Sequence, residues 1–170
     1  FYQDFDEFLG SLKRKRRKEI IRERRQIQQQ MIKVEVLEGE AILVEHINYM
    51  YEFYLSTSEK KWGRPYLSKD FFSRIHQTMC NKLVLFLAYV DGDCVAGTIN
   101  FKNGKCLYGR YWGCKGNFRS LHFELCYYQP IEYAIRKGIS LFEAGAQGEH
   151  KIQRGFLPEL TYSAHWLEHP

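Results

Sequence analysis

Three apolar runs of strand length, residues 83–90, 94–101 and 106–112, follow one another with Asp91-Gly92 and Asn103-Gly104 between them. Asp-Gly and Asn-Gly readily supply the positive φ of a tight hairpin, so this region predicts an antiparallel meander. Upstream, residues 32–37 alternate weakly and close on Glu38-Gly39, a first strand. Residues 41–57 place Leu43, Ile47, Met50, Tyr51 and Tyr54 on one side of a helix. Residues 61–66 form a loop, and Ser68 is suited to cap a helix running to about Met79. Downstream, residues 121–137 predict a helix that stops at Gly138. A strand over 139–143, a helical turn over 149–154 and a last strand over 160–166 complete the order. At the start of the chain Phe5, Phe8, Leu9, Leu12, Ile20 and Ile27 recur at three- and four-residue steps, predicting one helix within residues 1–30. Arg16 and Arg24 continue its stripe and weaken it. The expected class is α+β: a mixed, mostly antiparallel sheet flanked by helices, with a basic helix (1–30) ahead of the main domain (31–170).

Composition changes this picture in two places. With 170 residues and 45% hydrophobic content the chain can bury a core, and 12 Tyr, 12 Phe and 3 Trp argue against disorder. Five cysteines without a CxxC pair suit a cytoplasmic protein with reduced thiols, and no apolar run is of membrane-spanning length. The net charge of +5 is local. Between Lys13 and Arg25 lie nine Lys/Arg and two Glu; the remainder holds 16 basic and 18 acidic residues. That helix is either a solvated surface or a site for phosphate, on tRNA, a nucleotide or a lipid headgroup.

Candidate chemistry gathers in FEAGAQGEHKIQRGF, residues 142–156. Gly145, Gly148 and Gly155 permit sharp bends and close backbone approach, which would converge Glu143, Gln147, Glu149, His150, Lys151 and Arg154. Period two along 106–112 puts Tyr108, Arg110 and Trp112 on one face, a cation among aromatics suited to a carboxylate or phosphate, or a cation–π stack. Glu124 shares the apolar face of its helix with Leu121, Leu125 and Tyr128; it either serves a site or complements the helix N-terminus. His165 beside Trp166 reads as a core pair. Cys114 with His122 or His150 is conceivable as a nucleophile. No metal-ligand spacing is present.

The element order resembles the acyl-CoA N-acyltransferase (GNAT) fold, in which the strands around the third helix splay apart to hold an acyl donor. Here those strands would be 106–112 and 139–143. Residues 12–21, a loose Leu-x-x-Lys-x-Arg-x-x-Ile pattern, and the glycine-rich 145–156 are similar to segments of Fem-type aminoacyltransferases. The fuller resemblance is to the FemAB-like "peptidoglycan biosynthesis/recognition" family. It rests on Lys61-Trp62-Gly63-Arg64-Pro65-Tyr66, the 107–114 run LYGRYWGC, Leu121-His122-Phe123-Glu124, residues 142–156 and the 161–166 run TYSAHW. The resemblance implies a GNAT-like domain of a larger protein, with another such domain ahead of Phe1. It implies transfer of an acyl or aminoacyl group from acyl-CoA or aminoacyl-tRNA to an amine, with a peptidoglycan precursor among the acceptors the family suggests, or else a binding module for cell-wall peptide or tRNA.

Such transfer needs a neutral amine, a positioned carbonyl and donors for the developing oxyanion. His150, Glu143 and Glu124 are the candidate catalytic groups; His150 could instead be a surface cap, and Glu143 a partner of Arg110 or Lys151. Arg110, Tyr108, Trp112, His122, Gln147, Lys151 and Arg154 are candidates for holding substrate. The loop 113–120 departs from the family's pyrophosphate-binding pattern. It keeps Lys115, Gly116 and Arg119 as a variant anion site, or is an ordinary connection. A cleft filled by Trp112, Tyr128 and Phe156 would favour the binding module.

Overall fold

The computed structural model describes residues 2–61, 64–145, 149–160, 162–166 and 168, and among these all side chains except those of residues 59–61 and 149. Five strands form one sheet in the order of the chain: β1 (Lys33–Glu38), β2 (Leu83–Val90), β3 (Asp93–Asn103), β4 (Cys106–Cys114) and β5 (Leu141–Glu143). The first three pairings are antiparallel and β4–β5 is parallel, the mixed sheet the sequence predicts. Asp91 (φ 51°) and Gly92 (φ 91°) both adopt positive φ in the first hairpin. β2 reads as an unbroken apolar run because both its faces are covered, with Leu83 to Ala88 fully buried.

Helices α3 (Val44–Lys61) and α4 (Lys69–Met79) cover one face of the sheet. Met50, Phe53, Tyr54 and Phe72 pack there on Leu83, Leu85, Leu87 and Ile99. Ser68 caps α4 as expected, its Oγ accepting from the Phe71 N–H at 3.2 Å. The other face carries α5, residues 121–136, with Leu121, Leu125 and Tyr133 against Val84, Phe86, Ala96 and Leu107. α5 opens as an α-helical turn (Leu121–Phe123), widens into a π-helical turn (Glu124–Tyr128) and continues as Gln129–Arg136. Pro130, which has no N–H to give, lies just past the wide turn. The Leu125 carbonyl accepts from Thr98 Oγ1 on β3 at 3.4 Å.

Two expectations are corrected. The N-terminal segment is two helices, α1 (Phe5–Ser11) and α2 (Arg14–Gln29), not one. Gly10 and Ser11 are poor helix formers at this break, Ser11 Oγ turns back to the Phe8 carbonyl at 2.7 Å, and Leu12 is extended. Phe5, Phe8 and Leu9 of α1 and Ile20 of α2 pack with Tyr127 and Tyr128 of α5. The last strand is absent among the described residues of 160–166. Leu160, Tyr162 and Trp166 are more than four-fifths exposed, and His165 bonds Ser163 Oγ at 3.2 Å, so His165 and Trp166 form no core pair. Alternation alone does not make a strand; a partner edge must meet it. Among the described residues no helix is long and apolar enough to cross a membrane.

Glu38 ties the end of β1 to β3 and α5: Lys102 Nζ donates at 2.6 Å, Tyr133 Oη at 2.7 Å, and Lys137 Nζ also donates. Burial alone would push its carboxyl up, but the bonds from Lys102, Lys137 and Tyr133 outweigh it and bring it down to about 2 from 4.5. A depressed acid stabilises the fold above its unfolded pKa, and that contribution is lost as pH falls from about 4.5 through about 2. Because the site is part-exposed, Glu38→Gln is expected to cost no more than about 1 kcal/mol at pH 7. In melting curves recorded against pH, the gap between variant and parent should close between those two values. A gap of constant size across the range would contradict this account.

Candidate active site at the splayed end of the sheet

β5 pairs with β4 only over Cys106↔Leu141, Leu107↔Phe142 and Tyr108↔Glu143. β4 runs on to Cys114, and into the opening beside it falls a cavity of about 620 Å³. Tyr54, Thr57 and Ser58 of α3 form one wall, His122, Cys126 and Tyr127 of α5 the other. Ala144, Gly145, His150 and Lys151 approach from beyond β5, and the buried polar side chains of Thr98 and Asn100 also line it. Asn100 Nδ2 donates to the Val84 carbonyl at 3.3 Å and to Thr98 Oγ1 at 3.1 Å, which satisfies polar groups that would otherwise be costly to bury.

Two features of β4 shape the cavity. A bulge opposite Ile99 and Asn100, which pair with Tyr111 and Gly109, leaves Arg110 as the extra residue. It resets the alternation, so Tyr111 packs with α3 and α4 while Trp112 packs on the α5 side. The expected common face of Tyr108, Arg110 and Trp112 is therefore corrected. Tyr108 lies on the α4 side, in a separate groove with Met79, Lys82, Phe101 and Lys102; Arg110 borders both openings, with its guanidinium 5.9 Å from the Tyr108 ring. The second feature is Gly113, where α3 crosses so closely that a Cβ would lie 2.1 Å from the Phe53 carbonyl oxygen. One turn on, Thr57 Oγ1 donates to the Trp112 carbonyl at 2.9 Å.

The α5 wall is built from stacked rings. His122 stands edge-on to Trp112 at 5.2 Å and to Tyr127 at 5.6 Å, and His150 lies 6.1 Å from His122. His150 Nε2 is 2.8 Å from Tyr127 Oη. Burial, with Cys126 adding to it, raises the Tyr127 phenol far above its ordinary value, so it keeps its proton. Lys151 Nζ donates to the Gly145 carbonyl at 2.8 Å, and burial lowers its pKa. Across the cavity, Tyr66 and Tyr111 join hydroxyls at 3.0 Å, and Tyr54 Oη accepts from the N–H groups of Tyr66 and Leu67.

Of the sequence candidates, the fold brings His150, His122, Trp112, Arg110 and Lys151 to this cavity and takes others away from it. Glu143 is exposed at the end of β5 and is not in the lining. Glu124 is 3% exposed on the side toward α2, 3.1 Å from Arg24 Nη2 and 2.8 Å from Gln129 Nε2; burial raises its pKa against the pull of Arg24. Arg154 is held inside the protein: Nη2 meets Glu23 at 2.8 Å, Nε meets Tyr128 Oη at 2.8 Å, and the guanidinium lies 3.5 Å over Phe123. Gly155 and Phe156 anchor this end of the segment against Phe8, Tyr127 and Phe142. Neither Tyr128 nor Phe156 lines the cavity. Gln147 lies outside the described residues, and Cys126 rather than Cys114 reaches the opening.

The β4–α5 loop was the candidate anion site. Its Lys115 is paired with Glu52 at 2.6 Å. Gln30, just past the end of α2, closes on Arg119 from both sides, Oε1 accepting its N–H at 3.2 Å and Nε2 donating to its carbonyl at 3.0 Å, while Ser120 Oγ donates to Gln26 Oε1. The Lys115 ammonium and the Arg119 backbone are thus engaged within the protein. Tyr127, Thr98, Asn100 and Tyr54 were not among the sequence candidates. Thr98 and Asn100 had a signal, two polar residues at i and i+2 within an apolar strand.

No curated protein matches the chain. In fold it is similar to a possible acetyltransferase from Clostridium difficile 630, 14% identical over 81% of this chain and 98% of that one, with a TM-score of 0.57. An aminoglycoside acetyltransferase from an uncultured soil metagenomic sample, in complex with sisomicin, is 10% identical over 84% and 99% with a TM-score of 0.57. L-PGS from Bacillus licheniformis is 11% identical over 81% of this chain and 44% of that one, with a TM-score of 0.59. At these identities the likeness shows the fold, which is GNAT-like. The family model for peptidoglycan biosynthesis/recognition matches residues 1–170, and the chain belongs to that family, the FemAB-like proteins.

Proposed function

We propose that the chain transfers an acyl or aminoacyl group from an activated donor to an amine, on a peptidoglycan-related peptide in keeping with its family. The observation that carries this reading is the open cavity at the splay of β4 and β5, with His150 and Tyr127 on one side and, on the other, a β4 edge that past Tyr108 has no strand partner among the described residues. Alternate residues of an unpaired edge present backbone N–H groups, suited to a carbonyl oxygen that gains charge as the amine attacks. His150 is the catalytic base. It takes the amine's proton through Tyr127, whose hydroxyl gives its own proton to Nε2 as it receives one; as the carbonyl re-forms, the donor's C–S or C–O bond breaks, and the departing thiol or ribose hydroxyl takes a proton back along the same relay. Arg110 and Lys151 are the cations of the described lining and hold an anionic part of a substrate.

The test offers a muropeptide amine to the purified protein with either acetyl-CoA or alanyl-tRNA and reads the product by mass. An acyl or aminoacyl mass increment is expected from one donor, and His150→Ala should lower its rate by ~10²–10⁴. His150→Gln, which keeps a polar partner for Tyr127, separates loss of the base from loss of the fold. Undiminished transfer in both variants would remove His150 from the mechanism. Binding of muropeptide with no increment from either donor would replace the transferase by a binding module.

A further inference from the structure

We propose that the outward face of α2 docks a nucleic-acid backbone. Arg14, Lys15, Lys18, Arg22 and Arg25 are all exposed, and none has an ion-pair or hydrogen-bond partner among the described residues. At 100° per residue they fall within about 100° of the helix circumference, in a row about 16 Å long. The two acids of α2 are turned elsewhere: Glu23 is buried against Arg154, and Glu19 pairs with Arg16 at 3.1 Å. The cationic row therefore contains no carboxylate of its own helix. Three arginines that the sequence places in the basic segment, Arg16, Arg17 and Arg24, do not belong to it, and Arg17 is half-buried. Arg24 bridges Glu124 and Glu132 and lies over Phe5, and Arg16 binds Glu19 and Gln153.

The occupant follows from charge and from what the helix withholds. A helix that lies on a membrane sinks an apolar face into it. Here the apolar side, Ile20 and Ile27, is 1% and 5% exposed against the body, and Ile21 at 43% stands alone among the cations. What remains is a rigid line of positive charge, three of its five members arginines, whose guanidinium groups match phosphate oxygens. A duplex carries one phosphate per about 3.4 Å of helix axis on each strand, a charge density high enough for each of the five cations to neutralise one phosphate. With its inner side packed on the protein, α2 contacts the backbone and does not read bases.

Fluorescence anisotropy with a labelled 20-nucleotide RNA and a 20-base-pair DNA, titrated across potassium chloride, tests this on the whole chain. Both should bind, with affinity falling against salt at a log–log slope of roughly −3.5 for single strands and −4.5 for duplex. The triple variant Arg14→Glu, Lys18→Glu, Arg22→Glu should bind at least ~30-fold more weakly and lose about three from that slope. Its melting temperature should hold or rise, since these side chains are exposed and mutually repulsive. Arg74→Glu, a charge reversal on α4, should leave binding unchanged. Equal affinity of parent and triple variant overturns the proposal, as does a flat salt response. Binding to phosphatidylserine vesicles without binding to RNA or DNA assigns the face to lipid and overturns it too. None of these outcomes depends on transfer activity.

Discussion

Arg154→Met is expected to destabilise the protein by about 3–5 kcal/mol, the range for removing one partner of a buried ion pair. Glu23 and Arg154 have side chains 8% and 6% exposed and come from segments 131 residues apart. Arg154 also donates to Tyr128 Oη and to the His150 carbonyl and covers Phe123, while Tyr128 donates to Glu23. Methionine restores part of the volume but leaves a carboxylate inside with the Tyr128 hydroxyl alone. That uncompensated charge, rather than the lost attraction, dominates the cost. The double variant Glu23→Gln, Arg154→Met should therefore recover much of the loss, and urea melts of the four proteins in a cycle measure the coupling. A single-variant cost below about 1 kcal/mol, or no recovery in the double, would show that this network is not what joins α2 to residues 149–156.

The same network explains why part of the site was misread from the sequence. Glu124 stood out as a charge on the apolar face of its helix and Arg154 as a cation of the glycine-rich segment, and such residues either serve a site or find a partner inside. Their partners, Glu23 and Arg24, lie more than 90 positions away, on a helix whose basic composition drew attention outward. The sheet was legible because its signals are local: apolar runs of strand length and glycine turns at fixed offsets. Its splay was legible through the resemblance. The bulge was not. One extra residue at Arg110 sends Trp112 and Tyr108 to opposite faces, and nothing in the run CLYGRYWGC marks where the alternation resets. The final segment erred the other way, read as a strand where no described strand partner is provided. Within 142–156 the glycines were read as a group, yet they divide in role. Gly145 lines the cavity, whereas at Gly155 an added Cβ would stand 3.0 Å from the Phe8 ring.

Gly113→Ala tests the wall that faces these groups. The added Cβ would stand 2.1 Å from the Phe53 carbonyl oxygen, 2.4 Å from its carbon and 2.5 Å from its Cβ. Backbone atoms supply the first two clashes, so no rotamer change relieves them. α3 must retreat from β4 by about 1 Å or more, or the strand must bend, and overpacking of this kind costs about 1–3 kcal/mol or somewhat more. The effect is expected near the upper end, because Phe53 is fully buried against Met50, Leu85 and Leu87 and its retreat opens that cluster. Function should suffer beyond stability. The shift separates Thr57 Oγ1 from the Trp112 carbonyl and displaces Tyr54, Thr57 and Ser58, which all line the cavity. Gly109→Ala is the control on the same strand: its Cβ would meet Asn100 Oδ1 at 3.4 Å and the Glu143 carbonyl at 3.5 Å, ordinary contacts, and should cost less than about 1 kcal/mol. Urea melts decide the comparison. Equal stability of the two alanine variants would mean that α3 is free to slide over β4, and that this side of the cavity is not set by the close crossing at Gly113.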